Sequence, residues 1–292
     1  MRIGKTNGYH STVPCTPRGS ARATVPSAHA RAQRPSRPTL TPAQVQLLQR
    51  VLMPLMVVTV FLGGWEFTVH HMDIPRSLLP APSYVYERMR TTFSPLMTNA
   101  WPTTLETMVS FLIATVGGVV LALALTSSTL MNASFYPIVV FFQLIPKIAL
   151  APLFVVWMGI GSTTRIEFAA FMAFFPVVIS TMAGLRATPG DALRLCQGLT
   201  ATPWQVFFLV RLPYAVPYIF SGMKIAITLA MIGVIVAEFI SAERGLGYLI
   251  VFASSQADTA LILAAILILC AIGLVLYGLV ALGEWLAMRR YC

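Results

Sequence analysis

The sequence predicts an all-α, polytopic membrane protein with six transmembrane helices. Of its 292 residues, 57% are hydrophobic and only 10% charged. A soluble domain carries about 25% charged residues. The apolar residues gather into six stretches of roughly the 20 residues that a helix needs to cross a bilayer. Strands are excluded, because a strand spans in about ten residues and every backbone polar group must be satisfied within the membrane. One interruption, LRATPGDALRLCQGLTATPWQVFFLVRL from Leu185 to Leu212, is long enough to hold structure of its own.

Residues 1–42 come first and are rich in Arg, Pro, Ser, Thr and Ala. Such a segment buries too little apolar surface to offset its ordering entropy, so it reads as a disordered basic tail. It is too polar for a signal peptide, and its prolines oppose the amphipathic helix of a transit peptide. The spans lie at about 51–69, 105–125, 135–158, 166–185, 214–239 and 261–282, inside a transmembrane domain over 51–285. Lysine and arginine counts set the orientation. With the tail inside the cell, Arg186, Arg194, Arg211, Arg289 and Arg290 share its side. Arg76, Arg88, Arg90, Arg165 and Arg244 fall outside, and the tail breaks the near tie. Both termini are then cytoplasmic. The net charge of +10 reflects these flanks and the tail, so no nucleic-acid partner is implied.

Breaks and charges mark the spans. Pro146 and Pro152 interrupt the third, which reads as two half-helices meeting near Lys147. A mid-span lysine is retained where something polar meets it, making Pro146 and Lys147 candidates for a translocation path or gate. Lys224, about three turns into the fifth span, either snorkels to the inner surface or belongs to that path. Glu238 and Glu167 fall near the outer ends of their spans, within reach of water. Structural and pathway roles both remain open for these four. Trp157, Phe171 and Phe174 are aromatic candidates for lining a path. Gly117, Gly118, Ser221, Gly222, Gly273 and Gly278 permit close helix packing. Cys15, Cys196, Cys270 and Cys292 show neither disulfide nor metal-site spacing.

The interruption reads as two short helices. Pro189 and Gly190 open it, and Asp191 is expected to cap a first helix carrying Arg194, Leu195, Cys196 and Leu199. Thr202 caps a second, with Pro203 at its first position and Trp204, Phe207 and Phe208 on one side. Leu212 and Pro213 are expected to end it. Exposed apolar anchors on short helices suit docking into a partner's groove; the alternative is that the aromatics lie in the membrane interface.

Three stretches carry a resemblance: QLIPKIALAPLFVVWMGIG (143–161), VRLPYAVPYIFSGMKIAI (210–227) and EFISAERGLGYLI (238–250). Over about residues 52–286 the chain resembles the permease subunit of bacterial ATP-driven (ABC) importers fed by a solute-binding protein. It is most similar to the nitrate, sulfonate and taurine branch, which includes permeases for pyrimidine and riboflavin precursors. The resemblance implies a type I importer permease fold and a coupling loop over 186–213 that meets the ATPase. Its coupling helix would lie at about 191–201. Aligned on Val210, Leu212 and Pro213, the family's Glu-Ala-Ala falls at Arg194, Leu195 and Cys196, and its glycine at Thr200. Those positions depart from the pattern, whereas Ala201, Thr202, Trp204 and Gln205 fit the branch. Arg211 and Phe207 complete the loop's expected contact set.

The implied partners are two ABC ATPase subunits, a second permease copy or paralogue, a periplasmic or lipid-anchored solute-binding protein and the lipid bilayer. The implied location is the bacterial inner membrane. No phosphate-binding G-x-x-x-x-G-K-[ST] motif occurs, so ATP and Mg are expected on the partner and no cofactor on this chain. The chain is then expected to be a non-catalytic transport subunit. By resemblance only, the stretch AMIGVIVAEFISAERGLGYLI (230–250) leans toward a pyrimidine, thiamine or riboflavin precursor as solute, with sulfonate, taurine or nitrate as the alternative. An ion-coupled carrier is the competing class, because broken helices also occur there.

Overall fold

The computed structural model describes residues 42–241 and 243–291, so the tail lies outside the described residues except for Pro42. The chain divides into two compact units, Met1–Leu55 and Met56–Cys292, and the second holds the core and the polar sites. The regular secondary structure of the described residues is all helical. Helix α1 (Pro42–His71) runs through the boundary between the units, and α2 (Pro82–Thr91) is short and polar. They precede α3 (Phe93–Thr126), α4 (Thr129–Leu144), α5 (Ala151–Met158) and α6 (Ser162–Arg186). Then come α7 (Gly190–Gly198), α8 (Pro203–Val206), α9 (Leu212–Ser241), α10 (Leu246–Ser255) and α11 (Thr259–Tyr291).

Among the described residues, five helices are long and apolar enough to cross a membrane. A sixth span results if α4 and α5 are taken together, a pair bent by 80° at the break. The bend falls where Pro146 removes a backbone donor, and a short 3₁₀ turn, Lys147–Leu150, bridges the two halves. The third segment is therefore the pair of half-helices expected, beginning at Thr129 instead of 135. Helix α3 starts about twelve residues earlier than hydropathy alone places the second span, and of its added turns Leu96, Ala100 and Thr103 are buried.

The core lies between α3, α6 and α9, with α6 the most enclosed. Small residues make it possible. Ala215, Gly222, Ala226, Ala230, Gly233 and Ala237 recur at helical spacing along α9 and are all buried. Gly184 meets Ala215 and Tyr218, Gly222 meets Ser180, and Gly233 meets Ala169, an antiparallel register with backbones in near contact. Gly118 lets α3 approach Val177 in the same way. Phe111, Val177, Ile227 and Leu276 fill the wider gaps, the last from α11. Of the glycines singled out in the sequence, Gly117 and Gly273 touch Phe174 and Met231, while Gly278 faces open space.

Substitution at Gly233 and Gly278 separates the two kinds of glycine. A Cβ on residue 233 would lie 2.7 Å from the Ala169 backbone, and one on residue 278 would meet nothing within 4 Å. Gly233→Ala is expected to destabilise the detergent-solubilised protein by about 1–3 kcal/mol through overpacking. Gly278→Ala is expected to leave the thermal midpoint within error of wild type.

Candidate functional site

Two regions of the bundle carry most of its polar structure. At one end, where α3 and α6 finish and α4 and α9 begin, the loop after α6 folds into α7 and α8. Pro189, not Asp191, is the cap residue of α7; Asp191 sits in its first turn without a capping hydrogen bond. The reason is local: Gly190 already takes helical geometry, and Pro189 supplies the extended residue before it. Asp191 instead lies 4.0 Å from Arg194 across one turn, both fully in solvent, a pair worth little.

Leu195 and Leu199 are 65% and 71% exposed, and Trp204 is 72% exposed. Helix α7 ends at Gly198, and Thr200 adopts φ +52°. This left-handed conformation costs a β-branched residue about 1–2 kcal/mol and is free to glycine. It is the position at which the family pattern expects glycine. The Ala201 N–H then donates to the Cys196 carbonyl at 3.0 Å, closing the turn. Thr202 and Gln205 form a reciprocal capping box, with the Thr202 N–H donating to Gln205 Oε1 at 2.8 Å.

The second helix does not stop at Leu212 and Pro213. It widens into a π turn, Phe207–Arg211, and continues as α9. Pro213 lacks an N–H and its ring crowds the carbonyl four residues back, so the ladder widens ahead of it. Trp204 stacks on Phe208 with centroids 5.7 Å apart, and Phe207 meets Phe208 edge-on at 5.0 Å. Phe207 and Arg211 are half-buried and turn toward the bundle, lining a cleft of about 560 Å³. Phe208 and Leu209 are the exposed members of that turn, and the helical spacing that points to Phe207 hides this, because the π turn shifts the face.

The second region is a buried polar cluster elsewhere on α3, α6 and α9. Glu106 and Arg165 form a two-pronged ion pair, Nε–Oε2 at 2.8 Å and Nη2–Oε1 at 2.5 Å, with both side chains 5% exposed. Arg165 is thus not an outward loop charge. Its place in the first turn of α6 brings it against α3, and no periodicity in one segment reveals a partner 59 residues away. Glu238 likewise does not reach water. It is 2% exposed and accepts hydrogen bonds from Thr103 Oγ1 and the Gly247 N–H, each at 2.7 Å. Leu246 and Gly245 donate their N–H groups to Thr103 Oγ1 and Asn99 Oδ1, both at 2.9 Å. The first turn of α10 is thereby capped by side chains from α3 and α9. Gly245 has φ +117°, and any Cβ there would strike the Glu238 carboxylate. The Gly-Leu-Gly of the third sequence stretch is the footprint of that approach.

Lys224 pairs with Glu284 of α11. Lys147, at the bend of the broken span, donates to the Gln143 carbonyl at 3.3 Å and lies 5.3 Å over the Phe175 ring. Pro146, Lys147, Lys224 and Glu238 are therefore not brought together into one site. Phe171 packs edge-on against Phe175, Phe174 does the same, and Trp157 is exposed. Glu167 is half-buried. Among the described residues no group of three His, Cys, Asp or Glu side chains could hold a metal.

Residues 114–284 match the family model described as binding-protein-dependent transport system inner membrane component, and the chain belongs to that family. A probable ABC transporter permease protein of Haemophilus influenzae is 35% identical over 82% of this chain and 97% of that protein. The riboflavin transport system permease protein RibX of Chloroflexus aurantiacus is 32% identical, covering 84% and 94%. The formylaminopyrimidine transport permease protein ThiX of Halalkalibacterium halodurans is 31% identical, covering 78% and 90%. In fold, the chain matches a solved chain of the MetNI methionine ABC transporter, with TM-score 0.58 and 20% identity over 69% of this chain and 98% of that one.

The protein is thus a non-catalytic, multi-pass permease subunit of an ABC importer in the inner membrane, with the all-α type I importer fold. The ion-coupled carrier reading falls with that assignment.

The buried ion pair gives a direct test. Removing one partner leaves an uncompensated charge, a loss of about 3–5 kcal/mol. Glu106→Gln is expected to lower the thermal midpoint sharply, and Glu106→Gln combined with Arg165→Met is expected to recover part of the loss. A single variant as stable as wild type would show that the pair carries no structural weight.

Proposed function

We propose that the loop over 186–213 is the coupling element, docked by α7 and α8 into a groove of the ATPase subunit. The observation that carries this is the set of exposed apolar side chains, Leu195, Leu199, Trp204, Phe208 and Leu209, on the short helices between α6 and α9 and on the π turn that leads into α9. Well-packed apolar and aromatic anchors dominate docking surfaces, and rim charges such as Arg194 contribute less. The loop is joined to the core through its second helix. Its second helix runs unbroken into α9, whose buried small-residue face packs along α6. Closure of the ATPases around ATP and Mg would move α7 and α8, and α9 would pass the displacement into the core. Two permease chains, identical or paralogous, would then open alternately to either side of the membrane, fed by a solute-binding protein.

In this reading the loop, and with it both chain termini, lies in the cytoplasm. The bend at Pro146 and Lys147 is the preferred place for a gate, since a 3₁₀ bridge between half-helices repacks more readily than a continuous helix. Residues 51–285 form the translocating domain. The riboflavin and formylaminopyrimidine relatives support a small heterocyclic solute, a pyrimidine, thiamine or riboflavin precursor. A ligand screen on the cognate binding protein tests that choice, and selective binding of sulfonate, taurine or nitrate would contradict it.

Leu199→Glu and Trp204→Glu place a charge on the proposed docking face without entering the hydrocarbon core. Both variants are expected to insert normally. Retention of the ATPase on an affinity-tagged permease is expected to fall at least tenfold, with loss of binding-protein-stimulated ATP hydrolysis. Full retention and full stimulation in both would return the loop to an ordinary interfacial segment.

A further inference from the structure

The cleft beneath the coupling loop has a chemistry that docking to the ATPase does not use. Its walls are apolar: Leu123 and Leu185 from the ends of α3 and α6, Leu193 from α7, and Trp204 and Phe207 from the helix after it. Two arginines, Arg186 and Arg211, reach its lining, with Thr126, Ser127, Asn132 and Thr188 as neutral polar groups and no acidic residue. The Arg211 Nε is buried without a hydrogen-bond partner among the described residues. Arg186 lies 4.9 Å over the Tyr136 ring, and no described carboxylate forms a salt bridge with either guanidinium. A second hollow of about 450 Å³ continues past Arg186 along α4, sharing Thr126 and Asn132 with the first. Thus two cations without an acidic partner among the described residues stand in an apolar-walled cleft, at the level where the spans end. A buried donor without a partner, here the Nε of the half-buried Arg211, is costly; Arg186 is exposed, and the planar donor fork of arginine suits phosphate.

We propose that this cleft binds the phosphate of an anionic phospholipid, with Arg186 and Arg211 on the headgroup and the acyl chains leaving over the apolar walls. Apolar lining selects a lipid over free phosphate, because a soluble anion would gain nothing from the leucines and aromatics. Basic pockets between spans at the cytoplasmic surface are suited to anionic headgroups. Assignment to the inner leaflet rests on the proposed cytoplasmic position of the loop; the headgroup preference does not. The lipid would join the root of α7 to the ends of α3 and α6, so membrane composition would set how stiffly the coupling loop is mounted.

The test is native mass spectrometry of the full chain in mild detergent, supplied with equal amounts of phosphatidylglycerol, phosphatidylethanolamine and phosphatidylcholine. Wild type is expected to retain phosphatidylglycerol over phosphatidylcholine by about tenfold or more. Arg186→Gln with Arg211→Gln is expected to bring that ratio near one. Arg186→Lys with Arg211→Lys is expected to keep most of it, which separates loss of charge from loss of fold. Excess inorganic phosphate is expected not to displace the lipid; displacement would overturn the proposal in favour of a soluble anion. Equal retention of all headgroups by wild type would overturn it outright. So would an unchanged ratio in the double glutamine variant. No headgroup preference together with loss of ATPase retention in that variant would assign the arginines to the partner protein instead. Leu199→Glu is expected to leave the lipid ratio unaltered, so a failure of the coupling reading and a failure of this one are told apart.

Discussion

Polar groups inside an apolar bundle must find partners in the chain itself, and that constraint fixes the arrangement of the helices. Glu106 joins α3 to α6 through Arg165, Glu238 joins α9 to α3 and to the first turn of α10, and Glu284 joins α11 to α9 through Lys224. Arg88 of α2 meets Asp258, just before α11, at 2.6 Å, and the same carboxylate accepts the Leu261 N–H. Apart from the Glu238–Gly247 bond, which spans nine residues, each tie connects segments far apart in sequence and so sets a register that apolar packing alone would leave loose. Such a pair adds little stability over a well-packed apolar substitute; its effect is specificity, because every misregistered arrangement strands a charge.

Between these ties the helices approach through small side chains. The α6–α9 contact is close enough that a methyl group at Gly184, Gly222 or Gly233 would collide with its neighbour. Close backbones give dispersion contact over long stretches, which is what remains to drive helix association once lipid has removed the hydrophobic contribution. A movement of α7 and α8 therefore meets a stiff lever in α9. In the proposed cycle the yielding point is the 80° break between α4 and α5.

Much of this is legible in the sequence, and for different reasons. Spans show because hydropathy is a local sum, and the broken third span shows because Pro146 acts on its own helix. The capping box at Thr202 and Gln205 shows because its partners are close in the chain. Glu106 with Arg165, and Lys224 with Glu284, do not show, because each pair is made by tertiary packing across about sixty residues. Helices α2 and α10 escape a hydropathy reading, the first because it is polar and the second because about ten residues are too few to span. Within the coupling loop, Leu195, Leu199 and Trp204 stand exposed as their spacing suggests, whereas the π turn rotates Phe207 and Arg211 inward. Thr200 is the instructive case. The sequence marks it as a departure from the family's glycine, and its positive φ gives the physical reason glycine belongs there.

In the proposed assembly the loop over 186–213 faces the cytoplasm and is covered by the ATPase. A single cysteine at Leu199, in a chain whose four native cysteines are replaced by serine, tests it with a membrane-impermeant maleimide. The expected result is rapid labelling in inside-out vesicles, none in intact spheroplasts, and strong protection when the ATPase is added to the vesicles. Labelling from the outer face, or labelling in inside-out vesicles that bound ATPase leaves unchanged, would contradict it.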